Sequence, residues 1–203
     1  MHFEFLVEEP SAEQVLDELV AHIVGDQATF NIYVLAGKQN LLKSLPTRLK
    51  SYRNWLPNDW YIVVLVDEDR QDCLALKQQL EQAAHDAGLL TKSAAGTKKR
   101  FQVINRIVVE ELEAWFFGDV EALVAAFPRL PRTLARQTRY RDPDAIQGGT
   151  AEALERLLQK HGYQLEGLRK IEGARRIAEH MDPDRNRSKS FQVFRDALRK
   201  LVG

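Results

Sequence analysis

Cysteine is almost absent from this chain of 203 residues: Cys73 is its only one. A single thiol excludes an intrachain disulfide and argues against a cysteine-based zinc site. Long apolar runs are missing too. The longest, Tyr61 to Val66, has the length of a buried strand and falls far short of the ~20 residues that cross a bilayer. The N-terminus shows no basic segment followed by an apolar one, so no leader is read there, and a cytoplasmic protein is expected. The histidines (His2, His22, His85, His161 and His180) are scattered, with no His-x-x-x-His or Glu-x-x-His pair. No Gly-Lys-Ser/Thr follows Gly148-Gly149, so nucleotide hydrolysis by this chain alone is not expected, and no nucleophile elbow supports Ser-His-Asp catalysis.

What is present suits a folded domain. Apolar residues make up 44 % and charged residues 29 %, which places the chain with globular rather than disordered sequences. The formal net charge of zero hides an asymmetry. Residues 129–203 carry 17 Lys/Arg against 10 Asp/Glu, while residues 1–128 carry 12 against 19. A basic half suits either a polyanion partner or an acidic neighbouring surface within the molecule, and both readings stay open.

Periodicity organises the chain. His2 to Val7, Phe30 to Leu35, Tyr61 to Val66 and Phe101 to Val109 read as strands. Between the first two lies a helix with Val15, Leu16, Leu19, Val20 and Ile23 on one face, opened at Pro10-Ser11 with Ser11 as N-cap and Gln14 as its capping-box partner. A second helix through Leu41, Leu42, Leu45 and Leu49 carries Pro46, a place to kink or restart. Asp72 to Ala87 reads as a helix stopped by Gly88, Thr91 to Lys99 as a polar loop, and Glu110 to Phe127 as one helix or two broken near Gly118-Asp119. Residues 128–149 read as a long exposed loop, and helical patterns near 150–161, 167–181 and 189–202 finish the chain. Strand and helix thus alternate about four times. That order predicts an α/β core, residues 1–128, with a parallel sheet covered on both faces. Residues 129–203 are expected to form a basic helical extension packed on that core.

Open α/β sheets place their sites beyond the carboxyl ends of the strands. Acidic residues fall at three such ends: Glu8 and Glu9; Asp67, Glu68, Asp69 and Asp72; Glu110, Glu111 and Glu113. Asp67 and Asp69 alternate, which in extended chain turns both to one side. Glu110 and Glu113 are three apart, on one helix face. Mg²⁺ prefers a few carboxylates plus water and phosphate oxygens, so Glu8, Asp67 and Asp69 suit it; Asp72, Glu111 and Glu113 are further candidate ligands, and Glu110 with Glu113 could serve a second ion.

A Glu after the first strand in Leu6-Val7-Glu8-Glu9-Pro10-Ser11, with Asp-x-Asp in Val66-Asp67-Glu68-Asp69-Arg70-Gln71-Asp72, resembles the Toprim domain of topoisomerases, primases and overcoming-lysogenisation-defect type nucleases. With Gly37-Lys38, Glu111-Leu112-Glu113-Ala114-Trp115 and Ser188-Lys189-Ser190-Phe191, nearly the whole chain resembles a bacterial Toprim-like family of unknown function. The resemblance implies Mg²⁺ or Mn²⁺ as cofactor, Glu8 as general acid/base or metal ligand, and Asp67 and Asp69 as metal ligands. It implies phosphodiester chemistry on nucleic acid, DNA before RNA, and an ABC/SMC-like ATPase partner in defence against phage. No membrane partner is implied, and a homodimer stays open. Toprim sequences usually carry Gly after the strand-one Glu, where this chain has Glu9, and a Gly there permits a left-handed turn.

Candidate nucleic-acid contacts are Lys38 at the acidic rim, Arg136 and Arg139 beside Tyr140, and Lys170; Arg132, Arg141, Arg169, Arg175 and Arg176 extend the basic surface. Trp115, beside Phe116 and Phe117, reads as core. Two functions from different classes remain: a metal-dependent nuclease, and an accessory subunit of an ATPase with little catalysis of its own. Asp-x-Asp also serves glycosyltransferases and haloacid-dehalogenase phosphatases, but neither accounts for Glu8.

Overall fold

The structure is a computed structural model that describes residues 1–69, 71–96, 100–163 and 168–203. Four strands form one parallel sheet: β1 (His2–Val7), β2 (Thr29–Val34), β3 (Trp60–Asp67) and β4 (Val103–Val108), in the order β2-β1-β3-β4. All six residues of β1 are buried, as a central strand covered on both faces requires. β2 alternates exposed and half-buried residues, which suits an edge strand.

The pleat sends alternate side chains to opposite layers. Phe3, Phe5 and Val7 join the larger core with α1 (Pro10–Val24), α5 (Glu113–Gly118), α6 (Val120–Ala126), α7 (Thr150–Lys160), α8 (Leu168–Ala178) and α9 (Lys189–Val202). Leu6, Ile62, Val64 and Val66 join the smaller core with α2 (Lys38–Arg53) and α3 (Cys73–Asp86). The helices of the basic half therefore complete the core of the acidic half: Phe191, Phe194 and Leu198 of α9 pack with Phe5 and Trp115 in one continuous cluster.

Several local expectations are corrected. The first helix starts at Pro10, not after Ser11, because proline is preorganised for the first helical position. Its N-cap is Glu9 in ordinary extended conformation, φ −128°, so this turn needs no glycine. α2 runs unbroken through Pro46, its leucines 41, 45 and 49 all buried against the sheet. Residues 92–95 of the polar segment form a short helix, α4 (Lys92–Ala95), N-capped by Thr91; Thr97, Lys98 and Lys99 lie outside the described residues. The helical stretch after β4 begins at Glu113 rather than Glu110, while its break into two helices at Gly118-Asp119 is one of the two readings expected. Residues 128–149 are not a merely exposed loop. They form three 3-10 turns that bury Leu134, Tyr140 and Pro143, and Leu130 and Ile146 are buried as well. Asp144 accepts hydrogen bonds from Ser188 Oγ at 2.6 Å and from the Ser190 amide at 3.1 Å, fixing the start of α9.

Candidate functional site

The strand order changes direction at β1: β2 lies to one side, β3 and β4 to the other. The crevice at such a switch point, beyond the carboxyl ends, is where α/β sheets place ligands. Glu8 follows β1 and Asp67 ends β3 there. The two are joined directly, since Glu8 Oε1 accepts the Asp67 backbone N–H at 2.6 Å.

Both acids are disfavoured as anions. Glu8 is only 8 % exposed, and burial, with Asp69 and Glu9 nearby, pushes its pKa up to about 7 against the pull of the Asp67 amide and Lys38. Burial and the carboxylates of Glu8, Glu113, Asp69 and Glu9 hold Asp67 well above the usual carboxylate range. Glu113, buried in the first turn of α5, is also raised by burial, and Lys170 of α8 opposes this from 3.6 Å.

Lys38, at the start of α2, reaches into this crevice. Its Nζ donates to the carbonyls of Asp67 at 2.6 Å and Glu68 at 3.0 Å, and meets Asp69 Oδ2 at 3.4 Å. The loops after β3 and β4 are stitched together: Glu68 N donates to Val108 O, Asp69 N to Glu110 O, and Glu110 N to Glu68 Oε2. Among the described residues, three non-glycine residues have positive φ: Ala36 at 52°, Asp69 at 50° and Glu110 at 61°. Each follows a strand at this rim, and such strain persists only where its surroundings enforce it.

The positive φ of Asp69 changes one expectation. Asp67 is still in β3 and Asp69 is past it in a left-handed turn, so the extended alternation that would align them does not apply. Glu110 likewise precedes the helix and shares no helical face with Glu113. Asp72 caps α3, accepting from the amides of Leu74 at 2.8 Å and Ala75 at 3.2 Å. Glu111 accepts from Thr150 Oγ1 at 3.1 Å and the Ala151 amide at 2.8 Å, serving the start of α7. Arg136 and Arg139 are exposed on the 3-10 turns, Arg139 lying 5.7 Å from the Tyr140 ring centre. The side chain of Arg169 lies outside the described residues. Among the described residues, no three His, Cys, Asp or Glu side chains stand close enough together to hold one metal ion.

Two hollows adjoin the acids. One of 250 Å³ is lined by Asp69, Glu110, Glu111 and Glu152. A second, of 440 Å³, includes Glu111, Glu113, Phe116, Leu154, Lys170 and Ile177 in its walls. Sequence reasoning missed the Lys170–Glu113 ion pair, which joins segments 57 positions apart, and the part played by Glu9 in the field around Asp67. No signal short of the fold could have paired Lys170 with Glu113.

No helix among the described residues is long and apolar enough to cross a membrane. A comparison with curated proteins finds no match. Among solved structures, the chain is similar to one titled the C-terminal region of the Xanthomonas campestris pv. campestris OLD protein, with a TM-score of 0.49, 16 % identity, and coverage of 98 % of this chain and 95 % of that one. A model described as a domain of unknown function, DUF4276, matches residues 7–199, and the chain therefore belongs to that family.

Proposed function

We propose that the protein is a metal-dependent phosphodiester hydrolase acting on nucleic acid, with its site at the crevice between β1 and β3. The observation that carries this reading is the facing of Glu8 and Asp67 at the switch point, both with raised pKa values and with more acids around them than cations. Carboxylates held together at such cost suit a cation that relieves their repulsion. The donors are all hard oxygens, which fits Mg²⁺ or Mn²⁺. A dedicated cage is not needed: Mg²⁺ keeps several waters and is commonly bound by one or two carboxylates plus substrate phosphate. Asp67 and Glu8 would hold the ion, with Asp69 and Glu113 at the margin. When bound, such an ion polarises a phosphoryl oxygen and lowers the pKa of its water.

The chain's own residues have separate tasks in this reading. Glu8, oriented by the Asp67 amide, is the acid/base group. Lys38 holds the loop carrying Asp67 and Asp69 by its carbonyls, so its role is positioning. Lys170 orients Glu113. Asp72 and Glu111 cap helices and keep the loops that bear the other acids in place. Arg136 and Arg139 are available to a nucleic-acid backbone.

The test is incubation with plasmid and single-stranded nucleic acid in Mg²⁺, Mn²⁺ or EDTA, beside Asp67→Asn. Cleavage that needs metal and is lost in the variant supports the proposal; cleavage that survives the substitution overturns it. A second reading, an accessory subunit working with an ABC/SMC-like ATPase in phage defence, is favoured by the lack of a three-acid cluster among the described residues and by the contact of Lys38 with Asp69. It predicts no cleavage by the protein alone and a change in the ATPase's turnover when the two are mixed.

A further inference from the structure

α2 is the most one-sided helix of the acidic half in charge. Between Lys38 and Arg53 it carries Lys38, Lys43, Arg48, Lys50 and Arg53 and no Asp or Glu. Lys38 is turned to the crevice, as described, and Arg53 packs toward Ala87 and Gly88 beside α3. Lys43 and Lys50 are exposed and seven residues apart, which puts them two turns apart on one face, about 10 Å along the axis. Trp55, in the turn just past the helix, and Arg48, roughly 140–160° around the axis from Lys43 and Lys50, line the flank toward Tyr33 of β2.

On that flank lies a hollow of 260 Å³ lined by Glu4, Tyr33, Arg48, Ser51, Tyr52 and Trp55. Trp55 is 52 % exposed and Tyr33 37 %, two of the few large apolar side chains this exposed among the described residues. The Trp55 ring is braced rather than loose: its centre is 5.2 Å from that of Tyr52 and 5.8 Å from that of Trp60, whose own ring lies 4.0 Å from His2. Glu4 at the base is 1 % exposed, and its carboxylate is taken up by Tyr52 Oη at 2.6 Å, His2 Nε2 at 2.8 Å and Asn31 Nδ2 at 2.9 Å. That network anchors Tyr52, draws in Tyr33 as well, and leaves the hollow's outer wall to Arg48 and Trp55. Asp86 of α3 is near enough to Lys50 to feel its charge.

Exposed aromatic rings beside a cationic track are how proteins hold unpaired nucleic acid, because every base has a stackable face and every phosphate a charge. We propose that the outer face of α2 and the hollow beside it bind a single nucleic-acid strand, with phosphates on Lys43, Lys50 and Arg48 and a base stacked on Trp55. The inference takes its polyanion from the function proposed above, and extends it. α2 begins at the acidic crevice and, with 16 residues, is ~24 Å long, so a strand lying on it passes from Trp55 to the rim where Lys38 meets Asp67. A duplex, whose bases are already stacked, cannot use Trp55 in this way.

The experiment is binding in EDTA, with no turnover, of fluorescently labelled oligo(dT) and oligo(U) twelve-mers by anisotropy, and of unlabelled ones by tryptophan fluorescence. Trp115 is fully buried and Trp60 is half-buried beside Trp55, so quenching reports on the Trp55–Trp60 pair, and Trp60→Phe separates the two. The expected result is binding of a single strand tighter than of a duplex of equal length, with quenching. Trp55→Ala weakens it about tenfold or more, and Lys43→Gln with Lys50→Gln lowers the slope of log affinity against log salt by about 1.4. Trp55, Lys43 and Lys50 are exposed, so circular dichroism of these variants should match the wild type. If all three substitutions leave affinity and salt slope unchanged, if the duplex binds as tightly, or if only Arg136→Gln and Arg139→Gln weaken binding, the proposal is overturned. Binding as expected without any cleavage in Mg²⁺ would sustain this site and sink the nuclease; cleavage unaffected by the α2 substitutions would do the reverse. A preference between oligo(dT) and oligo(U) identifies which kind of strand is bound.

Discussion

Glu8 Oε1 accepts the backbone N–H of Asp67 at 2.6 Å, a bond between residues 59 positions apart that ties the end of β1 to the end of β3. Glu8→Gln keeps an oxygen there while removing the ionisable group. Cleavage should fall at least 100-fold, within the range usual for loss of general acid/base catalysis, with no loss of thermal stability. Glu8→Ala leaves the amide without its partner and should also cost about 1–3 kcal/mol in urea unfolding.

The raised pKa values make stability depend on pH. For Glu8 and Asp67 the folded-state value lies above the unfolded one, so the unfolded chain releases its protons first. Their contribution is fully present below the ordinary value near 4.5 for Glu8 and is lost as pH rises to about 7. The urea midpoint in EDTA should therefore be higher at pH 5 than at pH 8. Millimolar Mg²⁺ or Mn²⁺ should recover stability at pH 8 and do little at pH 5, where protons compete for the same oxygens. No recovery at pH 8 would remove the metal from the proposed function.

Lys38→Met deletes a cation whose three acceptors are the last residue of β3 and the two residues after it. Two part-buried carbonyl contacts go with it, and a loss of roughly 1–3 kcal/mol is expected. Hydrogen exchange at the amides of residues 67–69 should rise more than in the rest of the sheet, which a purely phosphate-binding lysine would not produce.

Asp119 joins the two halves of the chain. Its buried carboxylate caps α6 through the Ala122 amide and receives the Asp182 amide and two guanidinium bonds from Arg185, at 2.8 and 2.9 Å. Arg185→Ala leaves that anion to its two amides and to water, since Arg185 itself is about a third exposed, and should destabilise by about 1–3 kcal/mol. A fragment ending at residue 128 lacks Phe191, Phe194 and Leu198 from the core and is expected to be molten or insoluble, read by near-ultraviolet circular dichroism and dye binding.

The parallel strands, their order along the chain and the acids beyond their ends were legible because each is a local pattern. β1, β3 and the helices around them show it in their apolar spacing, and the match of His2 to Val7 with β1 is complete. Where local rules misled, a neighbour distant in sequence had intervened. Asp69 sits in a left-handed turn held by Glu110, the segment 128–149 is drawn inward by Tyr140 stacking on Phe117, and Asp144 is occupied by α9.

By itself, the sequence determined the α/β class, the parallel sheet and the three groups of acids at its carboxyl rim, since periodicity and turn chemistry act within a few residues. The tertiary structure alone decided what each acid does. A carboxylate that meets backbone amides, as Asp72 and Glu111 do, becomes a cap; one that meets a lysine, as Glu113 does, becomes half of an ion pair. Glu8 also takes a backbone amide, that of Asp67, but it does so buried among other acids because the strand order sets β1 beside β3, and the raised pKa values that result are the ground on which Glu8 and Asp67 are proposed as the site.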